Sequence, residues 1–85
     1  MSYRIEFVRQ ASRQFKSLSK QEQKRIKSKI DALSTEPRPN GVVKLSGKDN
    51  LYRIRAGNYR IIYSIQDERL LVLVVKIGHR RDIYQ

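Results

Sequence analysis

The spacing of apolar residues changes from helical to strand-like part-way along this chain, and that change limits the folds open to it. Ala11, Phe15 and Leu18 recur at i, i+4 and i+7, and Ile26, Ile30 and Leu33 repeat the interval. Each set forms one stripe along a helix. From Leu51 onward the period becomes two, as on a pleated strand. Between the two regimes lies Thr35-Glu36-Pro37-Arg38-Pro39-Asn40-Gly41. Neither proline suits a helix interior, and Asn-Gly favours a turn.

Ahead of the helices, Tyr3, Ile5 and Phe7 alternate with Arg4, Glu6 and Val8, which predicts a first strand. Ser19-Lys20-Gln21-Glu22 matches the capping box, in which Ser19 and Glu22 satisfy free backbone N–H groups at a helix start. Three strands are expected later, over 51–56, 59–66 and 69–77. Gly57-Asn58 fits a two-residue turn between the first pair, and Asp67-Glu68 is a candidate for the second turn. The order β-α-α-β-β-β describes an α+β domain with a helical hairpin on one face of a small, mostly antiparallel sheet. The run Leu70-Leu71-Val72-Leu73-Val74-Val75 is apolar on both faces, so the fourth strand should be central. With the third strand on one side and the first on the other, the strand order becomes 1-4-3-2. Eighty-five residues make one domain, 1–85, too small for a large closed cofactor pocket.

The net charge is +11, which favours a polyanionic partner. The plainer alternative is a basic surface with Lys and Arg simply scattered over it. There is no cysteine, so neither a disulfide framework nor a thiolate zinc site is possible. One histidine argues against a conventional metal site, and no cofactor is expected. Charge begins at Arg4 and Glu6, and the longest apolar run falls far short of the roughly 20 residues that span a bilayer. A soluble, cytoplasmic chain is the expectation.

A turn at Gly57-Asn58 sets the hairpin register by arithmetic. Arg55 then faces Arg60, Ile54 faces Ile61 and Arg53 faces Ile62. Tyr52, Ile54, Tyr59, Ile61 and Tyr63 share the face suited to the helices, while Arg53, Arg55 and Arg60 share the other. Like charges directly opposite are destabilising, so an anion is expected among them. A solvated face is the other reading, and a one-residue slip would separate Arg55 from Arg60. Continued pairing would put Leu73, Val75 and Ile77 on the arginine face, with His79 following near it. Cleavage of a phosphodiester needs a proton acceptor for the 2′-hydroxyl, cations for the phosphate and an acid for the leaving oxygen. Arg53, Arg55, Arg60 and Arg80 suit the cationic role through bidentate pairing. His79 suits proton exchange, and Tyr84 could stack on a base or donate a hydrogen bond.

In this order and spacing, Lys44-Leu45-Ser46-Gly47, Tyr52-Arg53-Ile54-Arg55, Asn58-Tyr59-Arg60-Ile61-Ile62-Tyr63 and Ile77-Gly78-His79-Arg80-Arg81-Asp82-Ile83-Tyr84 resemble the RelE branch of the RelE/ParE toxins. The resemblance implies a microbial-ribonuclease-like fold and a toxin of a type II toxin–antitoxin system. The implied activity is metal-independent, ribosome-dependent cleavage of mRNA in the A site by 2′-hydroxyl attack, held in check by an acidic RelB-like antitoxin. The family's functional positions fall on Arg53, Arg55, Arg60, Arg80 and Tyr84. Lys44 and Arg81 are further candidates for RNA contact. Known members carry lysines where Arg53 and Arg55 stand, one of them assigned as general base, and arginine hardly ever deprotonates. His79 is therefore the candidate substitute. A ParE-like inhibitor of DNA gyrase and a non-catalytic RNA-binding module are the alternatives.

Overall fold

The computed structural model describes residues 2–45, 47 and 50–81. The alternating N-terminal segment forms β1 (Arg4–Phe7), followed by helices α1 (Arg9–Lys16) and α2 (Lys20–Ala32). After the proline-rich segment come β2 (Val43–Lys44), β3 (Leu51–Ala56), β4 (Tyr59–Gln66) and β5 (Leu71–His79). A short 3-10 turn, Asp67–Arg69, leads into β5.

Both helical stripes turn inward, with Ala11, Ile26, Ile30 and Leu33 buried and Phe15 and Leu18 packed against them. Helix α2 starts where its cap predicts, the Glu22 amide donating to Ser19 Oγ at 3.2 Å. The reciprocal half of the box is less complete, because Glu22 Oε2 is buried without a hydrogen-bond partner among the described residues. Gln23 Nε2 reaches back to the carbonyls of Phe15 (3.2 Å) and Leu18 (3.1 Å), closing the end of α1. No helix among the described residues is long and apolar enough to cross a membrane.

The helices pack on a five-stranded sheet of order β1-β5-β4-β3-β2. β1 runs parallel to β5, and the other pairs are antiparallel. The expected order 1-4-3-2 is present with β2 added at its outer edge. Two residues are too few for alternation to reveal a strand. The second expected turn is also longer than two residues, with Leu70 in left-handed backbone (φ 49°), so β5 begins at Leu71 rather than Arg69.

One irregularity governs the site. The β4–β5 ladder pairs Ile62 with Lys76 and Tyr63 with Val74, leaving Val75 unmatched. Such a bulge moves every later residue of its strand to the other face. On the helix side, Tyr52, Ile54, Ala56, Ile61, Tyr63 and Ile65 are buried, and Ile77 joins them. Tyr63 is wholly buried, and its phenol donates to the Pro37 carbonyl at 2.7 Å, as a buried hydroxyl requires.

Candidate active site

The arginines sit as the turn arithmetic requires. Arg55 pairs with Arg60, Arg53 with Ile62 and Ala56 with Tyr59. Gly57 at φ 63° is the only turn residue with positive φ, the pattern of a type II′ hairpin. A side chain at Gly57 would place its Cβ 2.6 Å from Arg25 Nη1, so α2 also packs against this turn.

Arg53, Arg55 and Arg60 line one open hollow of about 370 Å³, together with Gly41 and Val43. Arg60 is the buried charged residue of the described chain, 8% exposed, and its Nη1 lies 3.5 Å from the Tyr59 carbonyl. Among the described residues the ion pairs are Arg4–Glu6, Lys27–Asp31 and Arg38–Asp67, so no carboxylate answers Arg55 or Arg60. A buried guanidinium without an anion is costly, and a second one directly across the ladder adds to that cost. The described lining of the hollow is thus cationic. Its guanidinium forks suit phosphate oxygens.

Arg80 stands just past the end of β5. Its amide donates to the Asn58 carbonyl at 2.8 Å, extending the β4–β5 ladder past the end of β5. Gly78, two residues earlier, pairs with Arg60. Arg81 is exposed at the end of the described chain. Tyr84 lies outside the described residues.

Two expected placements need correction, those of His79 and Ile77. Past the Val75 bulge, His79 pairs with Tyr59 on the helix face, not on the arginine face. Its ring meets the Tyr59 ring edge-on, with centroids 5.6 Å apart, and its Nδ1 accepts from the Arg81 amide at 3.2 Å. There it lines a separate hollow with Gln14, Ser17 and Leu18. Ile77 changes face for the same reason. Lys44 pairs with Tyr52 and so also falls on the helix side, while its neighbour Val43 pairs with Arg53 and takes the place beside the arginines. Sequence reasoning missed Gly41 and Val43, since nothing in a two-residue strand marks which face it presents. Among the described residues, no three His, Cys, Asp or Glu side chains gather where they could hold a metal ion.

Comparison with known proteins fits this geometry. A family model described as the ParE toxin of type II toxin–antitoxin systems matches residues 5–84. The chain belongs to the RelE/ParE toxin superfamily. A RelE-like toxin protein of Escherichia coli is 31% identical over 99% of this chain and 92% of its own length. The mRNA interferase toxin RelE of Escherichia coli K12 is 29% identical, covering 94% of this chain and 85% of the relative. Among solved structures, the archaeal RelE–RelB complex from Pyrococcus horikoshii matches with a TM-score of 0.84 at 33% identity, covering 96% of this chain and 99% of the other. The intact Escherichia coli RelBE toxin–antitoxin complex matches at 0.81 and 28% identity, covering 92% and 96%. The two-helix, mixed-sheet architecture is thus the RelE fold.

Proposed function

We propose that this chain is the toxin of a type II toxin–antitoxin pair and cuts mRNA in the ribosomal A site by 2′-hydroxyl attack, without a metal. The observation that carries the reading is the buried Arg60 facing Arg55 in a hollow where no carboxylate of the described chain neutralises either. The name of the Escherichia coli relative, an mRNA interferase, supports the substrate class.

The residues divide by chemistry. Arg53, Arg55 and Arg60 hold the scissile phosphate and the charge that grows on it in the transition state, and Arg80 supports the same charge from the end of β5. Tyr84 stacks on a base beside the cut or donates to a phosphate oxygen, and Arg81 makes an outer phosphate contact. Neither His79 nor Lys44 belongs to this face. Among the described residues, the side chains lining the hollow are those of arginines and a valine, and arginine does not exchange its proton near neutrality. Cleavage then rests on charge stabilisation and on the ribosome ordering the 2′-hydroxyl in line: its proton passes to hydroxide as the 2′-oxygen bonds to phosphorus, and the departing 5′-oxygen takes a proton from water. A RelB-like antitoxin restrains the toxin, as the relatives captured in RelE–RelB complexes support.

Because the matching family model carries the ParE description, inhibition of DNA gyrase is the competing reading. Toeprinting on a defined mRNA with purified protein separates the two. New 3′ ends at A-site codons, with normal gyrase supercoiling, are expected. Supercoiling inhibition without RNA cutting would instead establish the gyrase reading.

A further inference from the structure

The segment between α2 and β3 is tied down at its start and lines the arginine hollow at its end. At the start, Arg38 Nη2 lies 2.9 Å and Nη1 3.3 Å from the two carboxylate oxygens of Asp67. Its Nε donates to the Tyr52 hydroxyl at 3.3 Å, and the guanidinium lies 5.3 Å from the Tyr52 ring centroid. Asp67 is itself held by the Tyr3 hydroxyl at 2.7 Å. The preceding Pro37 carbonyl accepts the buried Tyr63 phenol. At the other end, Val43 lies in the hollow, 42% exposed, opposite Arg53.

Among the described residues, two residue pairs and a Leu45 amide bond to the Leu51 carbonyl join β2 to β3, and β2 is the edge strand of the sheet. So short a pairing cannot hold a segment in place by itself. The bidentate Arg38–Asp67 pair supplies a geometric constraint that the ladder lacks. With its fork engaged by Asp67 and Tyr52, Arg38 is unsuited to binding phosphate. An exposed valine among three arginines is equally out of place unless something apolar meets it. A nucleotide whose phosphate rests on the arginines carries a ribose and a base, and both have apolar faces.

We propose that Val43 is a substrate contact for the ribose or base beside the scissile phosphate, and that Arg38 and Asp67 are positioning residues that hold Val43 there. This rests on the RNA-cleaving reading above. Arg38 and Asp67 touch no substrate, so their effect must pass through the placement of residues 41–43.

The test is the kcat and KM of cleavage on ribosomes programmed with a defined mRNA, alongside Tm. Val43→Ser should raise KM about tenfold with little change in kcat or Tm. Arg38→Ala and Asp67→Asn should raise KM by a similar factor, and Asp67→Glu should recover part of it. The Arg38→Ala/Val43→Ser double variant should be no worse than the poorer single, since both remove one contact. Full additivity, or a lowered Tm with unchanged KM, would show that the clasp only supports the fold, and an unchanged KM in Val43→Ser would remove the proposed contact. If wild type cuts normally and these variants match it, this inference alone is overturned. A wild type that does not cut overturns the functional reading and this inference with it.

Discussion

Arg55 stands directly across the β3–β4 ladder from Arg60, and the two guanidinium groups share a hollow that no carboxylate of the described chain enters. Opposed like charges on one sheet face destabilise it. Arg55→Thr should therefore stabilise the free protein by about 0.5 kcal/mol, seen as a Tm a few degrees higher. Cleavage should fall in the same variant. Raising the salt should narrow the Tm difference, because screening already weakens the repulsion in wild type. A Tm lower than wild type at low salt would mean that the arginine pair supports the fold.

His79→Ala should leave cleavage on programmed ribosomes within about threefold of wild type, because the Val75 bulge turns His79 to the helix face. With no proton acceptor among the described residues of the hollow, the logarithm of the cleavage rate should rise steadily with pH. A general base titrating in the range of roughly pH 5 to 8 would bend that line. A bend that disappears in His79→Ala would restore histidine as the base.

Gly57→Ala combines backbone strain at φ 63° with a Cβ only 2.6 Å from Arg25 Nη1. A loss of about 1 to 2 kcal/mol on denaturant unfolding is expected. Replacing Arg25 with Ala in the same chain should return only the part due to contact, leaving the strain. Full recovery in the double variant would show that the turn tolerates a side chain.

The clasp at Asp67 should be sensitive to acid. The Arg38 guanidinium, with the Tyr3 hydroxyl, holds the Asp67 carboxyl below the usual carboxylate range. A carboxyl with a depressed folded-state pKa stabilises the fold above its unfolded value of about 3.9. It loses that contribution as pH falls through the folded value. The Tm advantage of wild type over Asp67→Asn should be full at neutral pH and vanish in strong acid. An advantage independent of pH would mean that the aspartate acts through shape and not through charge.

Much of the fold was legible because each signal was local and repeated. The stripes ending at Leu33, the cap at Ser19 and the turn at Gly57-Asn58 specify two helices and a hairpin register, and the register brings Arg53, Arg55 and Arg60 together. The errors arose where a single unmatched residue has long-range consequences. Val75 looks like any other member of an apolar run, yet as a bulge it moves Ile77 and His79 to the opposite face. Val43 escaped notice because its strand is too short to show a period. The Arg38–Asp67 clasp joins residues far apart in sequence through side-chain contacts alone, which no spacing rule anticipates.

The central claim is that Arg60 stabilises the charge developing on a scissile phosphate, and the single-turnover cleavage rate of Arg60→Ala on programmed ribosomes tests it most directly. With fold and Tm checked alongside, the rate should drop at least about 100-fold, the scale of losing one charge-stabilising donor. A folded Arg60→Ala that cuts within about twofold of wild type would contradict it.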